Sequence, residues 1–381
     1  MDHKSVPPSC GDSGAIRNPE LPVVIMAAPI HDKTPWWAWV FPVLGLGLVL
    51  MGAPALSPVG AVMAMVLGVS VFAAVLHAEV VAARLGEPYG TLVLALAVTV
   101  IETGLIISLM SDGEHPELAR DSVFASIMIA LNGIVGLSLV LGGARHFEQG
   151  FAARGASAFL TVVMTIAVLC LILPNYTTTT AGPYFSSRQL IFVATMALIT
   201  YGVFLFVMTV RHRGDFLHGH GIDPHGARPP VARALVAFVL MVLALTAVVL
   251  LAKKMAPALE AGVGWLQAPK SLSGVVIAAL VLMPEGVSAL RAAARNQLQM
   301  SLNLSLGSVL ACIGLTIPAV AAFSLISGAP LQLGLDPSGM VLLLLTFMVS
   351  MLTLATGRST VLQGAVHLMI FGTFLLLSFS P

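Results

Sequence analysis

The chain has 381 residues, of which 58% are hydrophobic and only 9% are charged, and its formal net charge at pH 7 is +1. Soluble globular domains carry about 25% charged residues, so this composition excludes a soluble protein and predicts one that crosses a lipid bilayer many times. The chain has no basic domain, so nothing favours a nucleic-acid partner. The expected surroundings are membrane lipid.

The first 35 residues are polar and are interrupted by several prolines. They lack the basic segment and cleavable apolar core of a signal peptide. We therefore predict a disordered N-terminal tail over residues 1–35.

Eleven segments downstream of this tail are long and apolar enough to span a membrane, which takes roughly 20 residues. They predict an all-α polytopic fold with an extra N-terminal helix in 36–57 and two groups of five spans in 58–210 and 231–381. The polar loop 211–230 separates the two groups. The predicted spans are 36–52, 58–83, 90–111, 122–143, 156–174, 187–210, 231–252, 271–294, 301–327, 339–356 and 359–380.

The distribution of basic residues predicts the orientation of these spans. When alternate loops are assigned to alternate sides, thirteen of the 18 Lys and Arg residues share the side of the N-terminus. Cytoplasmic loops are enriched in Lys and Arg. We therefore expect the N-terminus on the cytoplasmic side and the C-terminus on the other side. The opposite set is Arg120, Arg188, Lys253, Lys254 and Lys270.

Two glutamates lie near the middle of predicted spans in opposite halves, Glu102 in 90–111 and Glu285 in 271–294. A carboxylate at the bilayer centre costs about 2.5–3.5 kcal/mol on insertion scales, and such groups usually mark ion or proton pathways. Local pairing within the bundle is the alternative. Two glutamates at matching positions favour the ion site.

The polar pattern after each glutamate indicates an internal repeat. Ser126 follows Glu102 by 24 residues, and Ser308 follows Glu285 by 23. Because each half has an odd number of spans, the second copy inserts with the opposite orientation. Inverted repeats of this kind are typical of secondary transporters, whose sites lie at the midplane between the repeats. The two glutamates are thus predicted to face each other in one site.

The residues around both glutamates predict an all-oxygen cation site. Pro284 is expected to break or thin its helix and to free a carbonyl oxygen just before Glu285. Such ligands suit calcium, which takes 6–8 oxygens, better than zinc or copper. Helix packing is an equally good explanation for the Ser and Asn residues. The predicted cation- and proton-binding residues are Glu102, Glu285, Thr99, Ser126, Asn132, Asn303 and Ser308, with Glu102 and Glu285 as the calcium ligands.

Other polar residues in or near the spans receive weaker interpretations. His77 and Glu79 are predicted either to relay protons or to form an interfacial polar patch. His367 is expected to be a helix–helix contact, and Cys170 and Cys312 to pack as small apolar residues. The acidic loop 112–121 is expected to be solvated rather than a cation vestibule. A flexible linker is favoured over a zinc or pH-sensing site for His212, His218, His220 and His225.

The segment LGSVLACIGLTIP at 306–318 resembles the Gly-Ser…Ile-Pro helix in the second alpha-repeat of cation/proton exchangers. The segments at 77–81 and 95–102 are typical of the same group. Over residues 36–380 the chain is similar to the calcium/cation antiporter superfamily, in its bacterial calcium/proton antiporter branch of ChaA type. It lacks the Gly-Asn-Ala-x-Glu pattern before either glutamate, and Ala311 stands where relatives carry a glutamine.

The resemblance implies a sodium/calcium exchanger-like fold of ten inverted-repeat helices plus one N-terminal helix, in the bacterial inner membrane. It implies exchange of calcium for protons by alternating access, with Glu102 and Glu285 as shared ligands and no cofactor. A sodium or potassium/proton antiporter on the same scaffold stays open as an alternative. A cation channel is disfavoured because no selectivity-filter loop recurs. No catalytic motif favours an enzyme.

Overall fold

The computed structural model describes residues 34–52, 54–86, 89–111, 115–211 and 229–380. The predicted tail up to residue 33, the four histidines of the loop 211–230, and Asp112 and Glu114 lie outside the described residues.

Eleven helices account for most of the described residues, and two strands of two residues each, β1 (Gln149–Gly150) and β2 (Arg358–Ser359), form an antiparallel ribbon. The helices are α1 (Trp37–Leu50), α2 (Pro58–Leu85), α3 (Tyr89–Met110), α4 (Leu118–His146), α5 (Ala153–Tyr176), α6 (Ser187–Arg211), α7 (Val231–Trp265), α8 (Ser271–Ala294), α9 (Leu298–Ser327), α10 (Pro337–Ala355) and α11 (Val361–Phe379).

Ten of these helices, α2 to α11, are long and apolar enough to cross a membrane, so the all-α polytopic prediction is confirmed. Most helix ends shift by up to four residues from those predicted, and two differences bear on how a helix would span the membrane. α1 has 14 residues, which is about 21 Å of helix and shorter than the predicted span 36–52. α7 continues to Trp265 instead of ending at 252, because Lys253 and Lys254 end the apolar run without ending the helix.

The loops gather at two ends of the bundle. At one end, which we call the ribbon end, β1 pairs with β2 and Gln149 Nε2 donates to Ala293 O at 3.0 Å. At the other, the Arg120 end, Arg120 Nη1 donates to Gly334 O at 3.2 Å and the backbone of Leu335 bonds to Leu171 O. Each half therefore runs between the same two ends, as alternating spans require.

Two local features recur at matching places in the two halves. α6 and α11 both begin with a capping box, formed by Ser186 with Gln189 and by Thr360 with Gln363. α4 and α9 both contain a π-helical turn shortly after Ser126 and Ser308, at Ile129–Ile134 and Cys312–Thr316. Further π turns lie in α5 and α6. The repeat is thus expressed in backbone geometry as well as in composition.

The helices at the centre approach each other closely through glycine. A Cβ on Gly274 of α8 would lie 2.8 Å from the backbone nitrogen of Ser122 in α4. A Cβ on Gly364 of α11 would lie 2.7 Å from Gly136 O, also in α4. Small residues allow such contacts in membrane bundles. α4 is the most buried span, while α1 packs against α2 and α7 at the side of the bundle.

Candidate functional site

Glu102 is buried within the bundle, with 2% of its surface exposed. α3 carries it, and side chains of α4 and α9 surround it. The hydroxyl of Ser126 donates to Oε1 at 3.2 Å, and the Cys312 thiol donates to the same oxygen at 2.8 Å. The Thr316 hydroxyl donates to Oε2 at 2.9 Å. Both carboxylate oxygens are therefore hydrogen-bonded, by groups from both halves of the chain.

Glu285, in α8, is only partly buried. The Ser308 hydroxyl of α9 donates to its Oε2. The carboxylates of Glu102 and Glu79 are near enough to act on Glu285 electrostatically. α8 is a continuous α-helix through Pro284, so the predicted break before Glu285 is wrong, while the carbonyl that the proline leaves without a backbone donor stays a prediction. A helix can lose one hydrogen bond at a proline without ending, and the irregular turns lie in α4 and α9 instead.

One stripe on α9 links the two glutamates. Ser308, Cys312 and Thr316 recur at intervals of four residues, so they lie on one helix face. Ser308 contacts Glu285, whereas the other two contact Glu102. Because each interval advances about 6 Å along the helix, the two carboxylates occupy successive levels of the same polar centre. Glu285 lies toward the ribbon end and Glu102 toward the Arg120 end.

The π turn of α9 carries two of the three groups that contact Glu102. Cys312 and Thr316 are its first and last residues. A π turn is a single wider turn within an α-helix, and such turns are frequent at functional sites. Thr316 also accepts a hydrogen bond from the Thr103 hydroxyl at 3.3 Å. Two hydrogen bonds at Thr316 therefore join α9 to α3.

The structure brings Ser126 and Ser308 to the glutamates, but it places the other predicted oxygen ligands differently. Thr99 is buried one turn before Glu102, and its hydroxyl has no partner among the described residues. Asn303 accepts a hydrogen bond from Gln299 Nε2 at 2.9 Å, toward the ribbon end. Asn132 contacts α10 and α11 rather than a glutamate.

Asn132 belongs to a separate chain of buried hydrogen bonds. Its Nδ2 donates to Thr346 Oγ1 at 2.8 Å, and its Oδ1 lies 3.0 Å from His367 Nδ1. His367 Nε2 lies 3.2 Å from Thr353 Oγ1. Every contact fits a neutral His367 that donates from Nδ1 and accepts at Nε2. His367 is therefore the helix–helix contact that the sequence favoured.

His77 and Glu79 face different surroundings. His77 is fully buried, and its Nε2 lies 3.1 Å from Ala38 O in α1. Glu79 is exposed and lies near Glu285. The two side chains thus do not form a pair, because residues two apart lie on different faces of a helix.

Asp121 of the acidic loop is buried rather than solvated, which corrects the prediction for this residue. Its Oδ1 accepts from Arg120 Nε at 2.7 Å. Asp121 and Asp336 line a cavity of about 190 Å³ at the Arg120 end. This cavity is separate from the contacts of Glu102 and Glu285.

Cys312 and Thr316 are the site residues that the sequence analysis missed. Cys312 was expected to be a small apolar side chain, whereas its thiol is bonded to a buried carboxylate. Their spacing of four and eight residues from Ser308 was the available signal. Within the described residues, no three His, Cys, Asp or Glu side chains meet closely enough to hold a metal ion. A cation at this centre would thus combine carboxylate oxygen with hydroxyl, carbonyl or water oxygen.

The family model for sodium/calcium exchanger proteins matches residues 39–210 and 236–380. The chain belongs to the sodium/calcium exchanger family. The match covers both halves and excludes the loop between them, as expected for two repeats joined by a linker.

Two relatives of this exchanger cover nearly all of it. The protein y4hA of Sinorhizobium fredii, named for ionic transport, is 47% identical over 91% of this chain and 97% of its own length. The sodium-potassium/proton antiporter ChaA of Escherichia coli is 36% identical over 92% of this chain and 97% of its own. The solved structure of YfkE has a TM-score of 0.70 at 16% identity, over 90% of this chain and 99% of YfkE.

These findings show that the chain is a multi-pass membrane protein of the exchanger family. It is a cation antiporter and not an enzyme. The YfkE likeness confirms the predicted exchanger fold.

Proposed function

We propose that this antiporter exchanges calcium for protons, with Glu102 and Glu285 as the ligands that both loads share. The observation that carries the proposal is the α9 stripe, which contacts both carboxylates inside one polar centre surrounded by apolar helices. Two carboxylates compensate a divalent charge, and oxygen ligands suit a hard cation.

The geometry supports competition between the two loads. A bound cation needs charged carboxylates, and protonation removes the charge that attracts it. The hydroxyls of Ser126, Thr316 and Ser308 can bond to the site both when it is protonated and when it holds a cation, because a hydroxyl is both a donor and an acceptor. It donates to a carboxylate in the structure, and it can turn a lone pair toward a cation that binds between the glutamates.

Alternating access would move α2 and α7 against the rest of the bundle. These two helices pack along each other and contact α3, which carries Glu102. α2 also carries the exposed Glu79, close to Glu285 and toward the ribbon end. We assign Glu79 the role of a relay between water and Glu285. His77 anchors α1 and has no part in that relay.

The ribbon end would face the cytoplasm of a bacterial cell, in its inner membrane. Arg145, Arg154, Arg295 and Arg358 flank the loops at this end. Basic residues concentrate on the cytoplasmic side of membrane proteins. The N-terminus would then lie in the cytoplasm and the C-terminus outside it.

A sodium or potassium/proton antiporter is the second candidate. The specific observation in its favour is the 36% identity to ChaA, which is named a sodium-potassium/proton antiporter. Oxygen ligands accept these ions as well. The same two glutamates would then bind a monovalent cation or protons.

Everted membrane vesicles with an imposed proton gradient test the proposal. Calcium uptake is expected in vesicles with the wild-type chain and is expected to be lost in Glu102→Gln and Glu285→Gln, which keep the shape of the side chain but not its charge. Glu148→Gln is the control, because Glu148 is an exposed carboxylate whose described ion pair is with Arg358. Wild-type exchange in both site variants would refute the glutamate assignment.

The same vesicles separate the candidate ions. Sodium or potassium, and not calcium, would dissipate the gradient if the second candidate is right. Calcium flux that does not depend on the gradient would identify a channel instead of an exchanger.

A further inference from the structure

We propose that Tyr201 is a positioning residue for the cation site, because its side chain packs on the π turn that donates hydrogen bonds to Glu102. Tyr201 lies on α6 and is buried, with 6% of its surface exposed. It faces Gly314, the middle residue of the π turn Cys312–Thr316 of α9. The inference deepens the proposed function, since it rests on Glu102 as a cation ligand.

Gly314 leaves the space that the tyrosine side chain occupies. A Cβ on Gly314 would lie 2.9 Å from Cβ of Tyr201 and 3.0 Å from the ring atoms Cγ and Cδ2. Carbon atoms in favourable contact are about 3.5–4.0 Å apart, so a larger residue at this position would push α6 and the π turn away from each other. Tyr201 therefore packs on the turn because residue 314 has no side chain.

The π turn sets the direction in which Thr316 points. In a regular α-helix each residue advances by about 100°, so residues 308 and 316 would be about 80° apart around the helix axis. A π turn has more residues per turn, which reduces this drift and keeps Thr316 on the side of Ser308 and Cys312. If the turn became regular α-helix, Thr316 would rotate away from Glu102 Oε2, to which it donates at 2.9 Å.

The other half of the chain contains an equivalent contact, which serves as an internal comparison. Phe371 of α11 packs on Gly133 in the π turn Ile129–Ile134 of α4, where a Cβ would lie 3.3 Å from Cζ of the ring. The last helix of each repeat thus places an aromatic ring on the π turn of the other repeat. The α9 turn donates to Glu102, whereas the polar residue of the α4 turn, Asn132, is bonded to α10 and α11. The two contacts therefore share their packing but differ in their connection to a carboxylate.

The test measures the concentration of the transported cation that gives half-maximal exchange, with the full chain in proteoliposomes. Gly314→Ala is expected to raise this concentration about tenfold, the effect of losing one hydrogen bond to a charged group. Gly133→Ala adds the same methyl group at the equivalent turn and should leave it unchanged. Gly307→Ala on α9 should also leave it unchanged, because the added Cβ would lie 3.8 Å from Phe159. Tyr201→Ala should raise it, while Tyr201→Phe keeps the ring and should retain the wild-type value.

A double variant distinguishes positioning from a general loss of packing. If the tyrosine contact acts through Thr316, Gly314→Ala combined with Thr316→Val should bind the cation no more weakly than the weaker single variant, because changes that remove one shared contact are not additive. Additive losses, an equal loss in Gly133→Ala, or wild-type affinity in Tyr201→Ala would each overturn the inference. If Gly314→Ala does not fold, the comparison of Tyr201→Ala with Tyr201→Phe decides.

Two outcomes separate this inference from the proposed function. If Glu102→Gln abolishes exchange while Gly314→Ala and Tyr201→Ala retain wild-type affinity, the inference alone fails. If Glu102→Gln retains wild-type exchange, the proposed function fails, and the free energy of unfolding in detergent still tests the positioning. Gly314→Ala and Thr316→Val should then lower it non-additively, whereas Gly133→Ala and Thr316→Val should lower it additively.

Discussion

The two glutamates occupy equivalent places in the repeat, yet their surroundings differ. Glu102 accepts hydrogen bonds from Ser126, Cys312 and Thr316, so that groups from both halves fix it. The described side-chain contact of Glu285 is with Ser308 of its own half. The two halves therefore have the same backbone pattern, but the hydrogen-bond partners of their carboxylates differ.

The difference traces to two positions on α4. Counted from Ser126, the places that Cys312 and Thr316 occupy after Ser308 are taken by Ala130 and Ile134. Ile134 meets α8 beside Glu285, because a Cβ on Gly286 would lie 3.1 Å from its Cδ1. An apolar side chain thus stands where the second half offers a hydroxyl.

This asymmetry gives the two carboxylates different freedom. Both oxygens of Glu102 are held in a buried setting, whereas Glu285 is partly exposed and has Glu79 as a neighbour. We expect the Glu102 carboxylate to keep its position during exchange. We expect the Glu285 carboxylate to be the one that gains and loses contacts with water. An inverted repeat supplies two matching positions, and divergence between its copies lets them take separate roles.

The largest expected effect comes from shortening each glutamate. Glu102→Asp withdraws the carboxylate from three fixed donors, each bond to a charged group being worth about 1.5–3 kcal/mol. Because more than one such bond is lost, we expect exchange at a limiting cation concentration to fall by about a hundredfold or more. Glu285→Asp, with one such contact and a more open setting, should fall less. Initial rates of proton-driven cation uptake measure both.

Equal losses in the two aspartate variants would contradict the expectation that Glu102 is held more tightly than Glu285. Glu148→Asp serves as the control for an exposed carboxylate and should leave the rate unchanged.

A smaller effect is expected when a hydroxyl is removed from the second half and a new one is introduced in the first half. Thr316→Val keeps the volume and removes the donor to Glu102 Oε2, at a cost of about 1–3 kcal/mol. The apparent cation affinity in the vesicle assay should fall by about tenfold. Ile134→Thr offers a hydroxyl on the other half, beside Glu285, and should partly restore affinity when it is combined with Thr316→Val.

Thr373→Val is the control for this exchange, because Thr373 is exposed and bonds only to its own helix among the described contacts. A double variant no better than Thr316→Val would show that the two halves cannot substitute for each other.

The amino-acid sequence was enough to predict the helical spans, the repeat and the nearness of each glutamate to its serine, because each depends on regular helix geometry. The costly carboxylates and the spacing of Ser126 and Ser308 were visible in the chain itself. Cys312 and Thr316 were missed although they continue the four-residue spacing of Ser308, because a cysteine and a threonine in an apolar span are as common in helix packing as in a ligand set. The continuity of α8 through Pro284 was missed because neighbouring helices, rather than local preference, decide whether a proline ends a membrane helix.

Asn132 shows the converse case, in which the structure places a predicted ligand away from both glutamates. It follows Ser126 by six residues, which places it on another face of α4, toward α10 and α11. Its amide meets His367 and Thr346 there. Spacing along one helix could not reveal these partners, because they come from segments more than 200 residues away.

The smallest expected effect on transport, though not on stability, therefore comes from Asn132→Ala. The change leaves buried His367 and Thr346 without their shared partner, and each unpaired group costs about 1–3 kcal/mol. The free energy of unfolding in detergent should fall accordingly, while the apparent cation affinity stays at the wild-type value. Thr373→Val, the exposed control used above, should leave the free energy of unfolding unchanged. A loss of cation affinity in Asn132→Ala without a loss of stability would instead return Asn132 to the ligand set and join the α4–α10–α11 hydrogen bonds to the site of Glu102.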